Sequence, residues 1–256
     1  MKSYSFTIDD NIRFLKEINE QRCESLFSHP YTAMLRRLHE KFNLKIQLNL
    51  FYRLGDFTLS DMTDTYREEW CAASDWLKLS FHSDYENVCP YESSDYDEVF
   101  RDCAAVNDEI LRFASPSSLA KTTTVHYCKT TPDGVRALSD NGISGLLGLF
   151  GTKEKPTTSY SLPESAAAEI REGKILALGG MSYAAIDMVV NGVQKSEIAQ
   201  RLDQFLSHST VRIMIHEQYF YPDYKAYQPD FEEKLATAFS LLNENGYESR
   251  FFEELI

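Results

Sequence analysis

The sequence predicts an α/β fold in which parallel strands and crossover helices close into a barrel. Segments with strand and helix patterns alternate along all 256 residues without a clear break, and this alternation calls for parallel strands. Seven or eight such units in a chain of this length favour one closed or nearly closed barrel domain over residues 1–256. An open doubly wound sheet is the main rival, although the sequence contains neither a GxGxxG turn nor a phosphate-binding loop.

The amino-terminal half of the chain contains four predicted strands. In the first, at residues 4–8, Tyr4, Phe6 and Ile8 alternate with polar side chains, as in a buried strand. Residues 45–52 alternate with the same period, and Ser60 is a suitable N-cap for a long helix. In order, the segments that follow are predicted as helix 12–18, helix 31–42, strand 45–52, helix 60–77, strand 77–81, helix 96–113 and strand 122–125.

The carboxy-terminal half continues the alternation. Residues 151–163 are rich in Lys, Thr, Ser and Pro, which predicts a mobile loop. Residues 174–182 are interrupted by glycine and receive no assignment. The other predicted segments are helix 132–138, strand 143–150, helix 166–172, strand 184–190, helix 196–206, strand 211–215, helix 229–245 and a short strand at 248–252.

The composition argues against several classes of partner. With a net charge of -13 the chain repels phosphate backbones, so nucleic acid is not expected to bind. The five cysteines are widely spaced without a CxxC pair, which argues against a disulfide framework or structural zinc and favours a reducing cytoplasm. No apolar leader precedes Asp9, and no apolar run reaches the length of a membrane span. We therefore expect a cytoplasmic protein without a membrane partner, and the sequence does not indicate its oligomeric state.

Carboxylates and imidazoles stand at the ends of several predicted strands. Each has an ordinary structural explanation, since Asp9 or Asp10 could cap the next helix and Asp187 could pair with an arginine. In a parallel barrel, however, the carboxyl ends of the strands meet at one face, where active sites lie. Imidazoles and carboxylates together are typical ligands of a catalytic Zn, Mn, Fe or Ni ion. The strand-end residues are Asp9, Asp10, His82, His126, Asp187 and His216.

Three short motifs resemble those of polysaccharide deacetylases, the NodB-homology carbohydrate esterases. Residues 6–10 (Phe-Thr-Ile-Asp-Asp) are similar to the family's Thr-Phe-Asp-Asp motif, and residues 80–86 (Ser-Phe-His-Ser-Asp-Tyr-Glu) to its His-Ser/Thr-x-x-x-His motif. Residues 215–217 (Ile-His-Glu) resemble the late motif that supplies a histidine. The resemblance spans almost the whole chain. It implies a distorted (β/α) barrel with seven or eight strands and a metal-dependent hydrolase that deacylates an N-acylated sugar or a related small amide.

The resemblance also implies a role for each matched residue. Asp9 corresponds to the catalytic base, and Asp10 and His82 correspond to two metal ligands. His216 corresponds to the general acid that protonates the leaving amine. The implied cofactor is one divalent metal ion, with Zn, Mn, Fe, Ni and Co all open, and the implied partner is a small-molecule or carbohydrate substrate.

The third metal ligand departs from the family pattern. The family has a histidine four residues after His82, where this chain has Glu86. A glutamate can also bind a divalent metal, and it would favour Mn, Fe or Mg over Zn. His126 is a candidate to replace it. The family's Arg-x-Pro motif is missing as well, because residues 125–128 are Val-His-Tyr-Cys.

Four further residues are candidates for substrate binding or for support of the site, namely His126, Asp187, Glu217 and Tyr219. Glu217 could orient His216, although adjacent residues on a strand point apart. Tyr219 begins an aromatic run that could stack on a sugar ring or line a pocket, or could simply pack the loop onto the last helix.

Two other functions stay open. A metal site centred on Asp187 and His126, away from Asp9, would indicate an isomerase or lyase that acts on a sugar. A degenerate relative would instead bind a carbohydrate without catalysis, which Glu86 and the missing arginine motif favour.

Overall fold

A computed structural model describes residues 2–256, in which strands and helices alternate. No helix in this range is both long and apolar enough to cross a membrane. The strands are β1 (Lys2–Asn11), β2 (Ile46–Phe51), β3 (Arg53–Leu54), β4 (Phe57–Thr58), β5 (Leu77–Ser83), β6 (Thr122–Thr123), β7 (Gly145–Gly148), β8 (Leu176–Leu178), β9 (Met181–Ala185), β10 (Met188–Val189), β11 (Thr210–His216) and β12 (Tyr247–Ser249). The helices are α1 (Arg13–Gln21), α2 (Pro30–Phe42), α3 (Arg67–Ala73), α4 (Tyr96–Phe113), α5 (Pro132–Asp140), α6 (Glu164–Arg171), α7 (Ile198–Asp203) and α8 (Phe231–Glu244).

Parallel strands form a distorted barrel, as the sequence predicts. One sheet has the order β10, β11, β1, β2, β5, and a second has the order β6, β7, β9, β8. A parallel bridge between Leu79 and Leu119 joins β5 to the segment before β6. On the other side, β9 pairs with β7 and the closely following β10 pairs with β11. The two sheets therefore meet at both edges. Outside this ring of parallel pairings lie β8, which is antiparallel to β9, the short β3–β4 hairpin, and β12, which adds to β1.

The two faces of β1 show how the barrel is filled. Tyr4 and Phe6 pack against Phe239 of α8, outside the barrel. The alternate residues Ser5, Thr7 and Asp9 are also almost fully buried. Because successive side chains on a strand point to opposite faces, these three lie on the face of β1 that looks into the barrel.

The barrel interior is polar on one side and apolar on the other. Gln47 Nε2 donates to Asn49 Oδ1 and to the carbonyl oxygen of Thr122, which links β2 to β6 across the barrel. A separate apolar cluster contains residues of β7, β9 and β11 and the carboxy-terminal segment; its buried members are Leu147, Ala184, Ile186, Met214 and Phe252. Polar side chains thus lead from the middle of the barrel to the end where Asp9 lies.

The prediction of one long helix at residues 60–77 is wrong. Only Arg67–Ala73 forms an α-helix there, preceded by a short 3-10 turn at Leu59–Asp61. Between the two, the Thr65 N–H donates to the Thr63 hydroxyl and the Thr63 N–H donates to Asn19 Oδ1. Side-chain oxygens that satisfy nearby backbone donors compete with helix formation, which explains the break.

The strand predicted at 184–190 is divided into β9 and β10. Between them, the Ile186 N–H donates to the Gly148 carbonyl and the Asp187 N–H donates to the Arg212 carbonyl. The chain therefore changes its partner strand at this point. The unassigned residues 174–182 form a β8–β9 hairpin, where Gly179 and Gly180 supply the positive φ angles of the turn.

Candidate metal centre

The end of β1 carries two adjacent carboxylates that the backbone directs differently. Asp9 is still in register with His216 of β11, whereas Asp10 has a φ of 62°, in the left-handed region. The register between β1 and β2 shifts between Ile8 and Asn11. This irregularity turns the strand end, which is the condition for two adjacent strand residues to approach one site.

Three side chains from separate parts of the chain converge beside this strand end. Asp10 Oδ1 lies 3.0 Å from His82 Nε2 and 3.3 Å from His126 Nδ1. The two imidazole nitrogens are 3.1 Å apart. The side chains are at most 10% exposed. These three residues form the Asp-His-His cluster.

The spacing within the Asp-His-His cluster fits a bound divalent ion. Bonds of roughly 2.1 Å to a metal place two ligand atoms roughly 3.0 Å apart at a right angle and roughly 3.4 Å apart at the tetrahedral angle. The three observed distances, 3.0, 3.1 and 3.3 Å, lie within that interval. Two imidazoles and one carboxylate are also a donor set used by zinc and by non-haem iron, and they leave coordination positions open.

A backbone carbonyl holds one of the two imidazole rings, and an aromatic side chain holds the other. His82 Nδ1 donates to the carbonyl oxygen of Thr124, so its Nε2 is the nitrogen available to a metal. His126 packs edge-to-face against Phe51, with ring centroids 4.9 Å apart. The following residue, Tyr127, has a left-handed backbone with a φ of 60° and is 51% exposed.

The buried charges of the cluster shift the pKa values of its members. Burial alone would raise the pKa of Asp10, but hydrogen bonds from His126 and His82 hold it well below the usual value. Burial alone would lower the pKa of His82, but the carboxylates of Asp9 and Asp10 outweigh it and raise that pKa. Both shifts have one physical origin, which is the pair of buried carboxylates beside two imidazoles.

Asp9 lies beside the cluster and is held by an amide. Asn49 Nδ2 donates to Asp9 Oδ1 over 2.7 Å, and Asn49 Oδ1 accepts from Gln47. Burial raises the pKa of Asp9, and the neighbouring charge of Asp10 adds to the rise, against the charges of His82 and His216 and the Asn49 hydrogen bond. Asp9 is therefore a buried carboxyl group poised to take up a proton.

His216, at the end of β11, is oriented by a second amide. Its Nδ1 donates to Asn191 Oδ1 over 2.9 Å, which leaves Nε2 free. The ring lies 6.1 Å from that of Tyr219, measured between centroids, and both line the same cavity as Asp9 and Asp10.

Gln218 is a site residue that no sequence motif predicts. It stands two residues after His216, and its Nε2 donates to Asp10 Oδ2 over 2.7 Å. Asn49 and Asn191 are likewise found only in the structure, because an isolated amide side chain has no motif. The sequence feature they share is a position near the carboxyl end of a strand, since Asn49 lies on β2 and Asn191 follows β10 in the same sheet.

Glu86 lines the cavity but does not belong to the Asp-His-His cluster. Residues four apart share a face only in a helix, and the chain after Ser83 forms bends and turns, with no α-helix before Tyr96. His126, the other candidate for the third ligand, is the residue that lies close to both Asp10 and His82.

Asp187 and Glu217 have structural partners. Asp187 is paired with the guanidinium of Arg212, in which both side chains are at most 4% exposed. Glu217 accepts hydrogen bonds from backbone N–H groups at the start of α1 and from the Tyr221 hydroxyl. Neither side chain lines the cavity beside the Asp-His-His cluster. A metal site centred on Asp187 and His126 is not formed among residues 2–256.

The cavity has a volume of about 320 Å³ and opens at the carboxyl ends of the strands. One part is polar and contains the cluster, Asp9 and His216, and another is apolar. The side chains around it are those of Asp9, Asp10, His82, Glu86, Thr124, His126, Tyr127, Cys128, Leu149, Val189, Met214, His216, Gln218, Tyr219 and Tyr224.

No family model and no curated protein matches the sequence. Solved structures do match it along 99% of its length. One is a family 4 acetyl xylan esterase from Clostridium thermocellum in complex with a cobalt ion, with 15% identity, a TM-score of 0.53 and 90% of that chain covered.

Two further matches are longer proteins. A CE4 family pseudoenzyme from Bacillus anthracis has 14% identity and a TM-score of 0.55, and the match covers 65% of it. A 4-alpha-glucanotransferase from Thermococcus litoralis has 12% identity and a TM-score of 0.63, and the match covers 40% of it. At sequence identities of 12 to 15%, the structural similarity establishes the fold alone. The chain has the fold of the family 4 carbohydrate esterases, which confirms at that level the resemblance drawn from its motifs.

Proposed function

We propose that this chain is a metal-dependent hydrolase that removes an acyl group from an N-acylated sugar or a related small amide. The observation that carries the proposal is the Asp-His-His cluster, whose ligand atoms lie within 3.3 Å of one another. Asp9 and His216 line the cavity beside it. A metal site flanked by a carboxylate and an imidazole is an arrangement suited to hydrolysis.

Asp10, His82 and His126 would hold one divalent ion, for which Zn, Mn, Fe, Ni and Co are the candidates. When bound, such an ion acts as a Lewis acid that polarises an acyl carbonyl and makes water more acidic. The hydrogen bonds from His82 to Thr124 and from Gln218 to Asp10 orient two of the ligands.

Asp9 is the general base of this proposal. Asn49 fixes one of its carboxylate oxygens, and burial raises its pKa, which makes the carboxylate a stronger base. Asp9 takes a proton from the attacking water.

His216 is the general acid. The hydrogen bond between its Nδ1 and Asn191 holds the ring in one orientation, so that Nε2 is the atom that carries a proton to the leaving amine. Asp9 and His216 lie on adjacent strands in matched register.

The substrate is proposed to be small or to present a single sugar unit to the site. Tyr127, Tyr219 and Tyr224 line the cavity, and aromatic rings of this kind stack on the apolar faces of sugars. A volume of about 320 Å³ is at the lower end of ordinary ligand sites. Glu86 is available there to a polar group of the substrate.

A carbohydrate-binding protein without catalysis is the second candidate. Asp9 and His216 each have a neutral amide as hydrogen-bond partner, an arrangement that can hold polar groups for ligand binding as well as for proton transfer. The pseudoenzyme among the structures of the same fold makes this alternative a real one.

The first test is the metal content of the purified protein after incubation with Zn or Co. We expect about one ion per chain, lost in Asp10→Ala and in His126→Ala. Glu86→Ala is the matched control in the same cavity and should keep the ion. Loss of the ion in Glu86→Ala but not in His126→Ala would assign the third ligand to Glu86 instead.

Release of acetate from N-acetylglucosamine oligomers by the metal-loaded protein then separates the two functions. The proposal expects turnover that falls by at least about 100-fold in Asp9→Asn and in His216→Gln. Saturable glycan binding without turnover, unchanged by His216→Gln, would contradict it and would support the binding protein.

A further inference from the structure

Glu86 lines the cavity beside the Asp-His-His cluster without belonging to the cluster. Its side chain is exposed, and its carboxylate forms no hydrogen bond or ion pair with any residue in the range 2–256. The other carboxylates that line the cavity have partners, since Asp10 contacts two imidazoles and Asp9 accepts from an amide. Glu86 is therefore free to bind a group of the substrate.

The cations that contact the loop around Glu86 are paired with its other carboxylates. Arg53 Nη2 lies 2.6 Å from Asp84, and Lys129 Nζ lies 2.6 Å from Glu92. In the described part of the chain, no lysine or arginine lines the cavity. The protein therefore places no cation in the cavity to balance the charge of Glu86.

Aromatic rings line the same cavity. Tyr127 is 51% exposed, and the rings of Tyr219 and Tyr224 pack edge-to-face with their centroids 5.2 Å apart. The face of an aromatic ring carries partial negative charge and attracts an ammonium group. A carboxylate only accepts hydrogen bonds, and an ammonium group only donates them. A free carboxylate beside tyrosine rings is thus suited to a protonated amine.

The charge of the whole chain favours the same kind of ligand. With a net charge of -13, the protein attracts cations to its surface and repels anions. A neutral sugar hydroxyl can also donate to Glu86, but it gains little from this field or from the tyrosine rings. A protonated amine gains from both, and its hydrogen bond to the carboxylate is charge-assisted.

We propose that the substrate carries a protonated amine in addition to its N-acyl group, and that Glu86 binds this amine. The inference rests on the proposed hydrolase function and deepens it by naming a substrate class, the N-acylated amines that retain a second, free amino group. A partly deacylated amino-sugar oligomer and a mono-acylated diamine both belong to this class. In this role Glu86 selects cationic over neutral substrates and does not hold the metal.

The test uses metal-binding probes that differ only in the charge at one end. In each probe an N-hydroxyacetamide group binds the metal, and its nitrogen carries a butyl tether that ends in an ammonium, a methyl or a carboxylate group. Dissociation constants are measured on the cobalt-loaded protein by calorimetry and by the change in the cobalt absorption spectrum. We expect the cationic probe to bind about 3- to 10-fold more tightly than the neutral one, and the anionic probe to bind most weakly. High salt should reduce these differences.

Variants of Glu86 assign the preference to this side chain. Glu86→Gln removes the charge, keeps the shape and should remove most of the preference for the cationic probe. Glu86→Lys should reverse the preference, so that the anionic probe binds more tightly than the cationic one. The matched control is Glu24→Gln, which makes the same change in net charge at an exposed glutamate without an ion pair, outside the cavity. It should keep the wild-type preference.

The outcomes separate the inference from the function on which it rests. If Glu86→Gln weakens the cationic and neutral probes equally, Glu86 binds an uncharged group and the inference fails. Equal binding of these two probes to the wild-type protein would also overturn it. If the cobalt-loaded protein binds none of the probes, the hydrolase proposal fails as well. The preference is measured on probes that are not substrates, so it does not depend on whether acetate is released.

Competition by two disaccharides separates the two sources of the amine. Di-N-acetylchitobiose and the disaccharide of glucosamine and N-acetylglucosamine differ by one acetyl group, and only the second carries a free amine. Stronger competition by the second against the cationic probe would identify an amino-sugar substrate. Equal competition by both, with the preference for the cationic probe intact, would identify a mono-acylated diamine.

Discussion

Two groups of carboxylates stand at the ends of strands in this barrel, and their surroundings differ. Asp10 belongs to the Asp-His-His cluster, where its Oδ1 faces two imidazole nitrogens that are themselves potential metal ligands. Asp187 and Glu217 face N–H and O–H donors of the protein instead. All three side chains are largely buried, so burial does not distinguish them.

The role of a buried carboxylate in this barrel therefore depends on its hydrogen-bond partner. A carboxylate whose partners are an arginine, backbone N–H groups or a hydroxyl is part of the scaffold, since those partners are not exchanged for a metal. A carboxylate whose partners are imidazole nitrogens can exchange them for a cation, because the same nitrogens bind metals once they are deprotonated. Substitutions at the two places should therefore change different properties.

The largest effect on stability is expected at the buried pair of Asp187 and Arg212. Arg212→Met leaves the Asp187 carboxylate buried without its countercharge and should lower the free energy of unfolding by about 3–5 kcal/mol, measured by urea denaturation. Metal bound per folded chain should stay at the wild-type value. The double variant with Asp187→Leu should recover part of the loss. An Arg212→Met variant that keeps wild-type stability but no longer binds metal would contradict the proposed difference between the scaffold carboxylates and Asp10.

A smaller effect is expected at Glu217. Its carboxylate accepts the N–H groups of Ile12, Arg13 and Phe14 at distances of 2.7 to 3.1 Å, and burial raises its pKa to about 7. Glu217→Ala leaves these donors unpaired and should cost about 2–3 kcal/mol of unfolding free energy, with metal binding retained. Glu217→Gln keeps one acceptor and should cost less. Equal stability of Glu217→Ala and wild type would show that α1 needs no cap.

The smallest effect is expected in the pH dependence of metal binding to the Asp-His-His cluster. Burial lowers the pKa of His82, but the carboxylates of Asp9 and Asp10 outweigh it and raise that pKa above its ordinary value. A metal that binds below this pKa must therefore displace a proton from the imidazole. Below that raised pKa, metal affinity should fall by about tenfold per pH unit, and above it His82 should contribute no pH dependence. Cobalt titrations between roughly pH 5.5 and 8.5 measure this. An affinity that is constant across that range would exclude a protonated His82 in the metal-free protein.

Much of the site could be predicted because strand periodicity and barrel geometry are local and regular. The alternation in residues 4–8 locates the end of β1, and the same argument places His82 and His216 at the same face. The third ligand could not be decided in this way. Whether Glu86 or His126 joins Asp10 depends on the path of an irregular loop, for which the sequence has no periodic signal.

The sequence allows an arginine as the partner of Asp187 without identifying which one, and it does not predict the scaffold role of Glu217. Asp187 meets an arginine 25 residues away, and Glu217 meets backbone donors 203 to 205 residues away. Such partners are fixed only when the barrel is assembled. The helix predicted at 60–77 failed for a related reason, since the hydrogen bond from Thr63 to Asn19 joins two segments that are remote in sequence.

The wide spacing of the Asp-His-His cluster along the chain has a consequence for refolding kinetics. Asp10 and His82 are 72 residues apart, and His82 and His126 are 44 apart, so the three meet only after the strands between them have docked. A cation that binds the assembled cluster cannot speed the steps that precede its assembly, and its stabilisation enters through the unfolding rate. A bound metal would therefore lengthen the lifetime of the native barrel without speeding its formation.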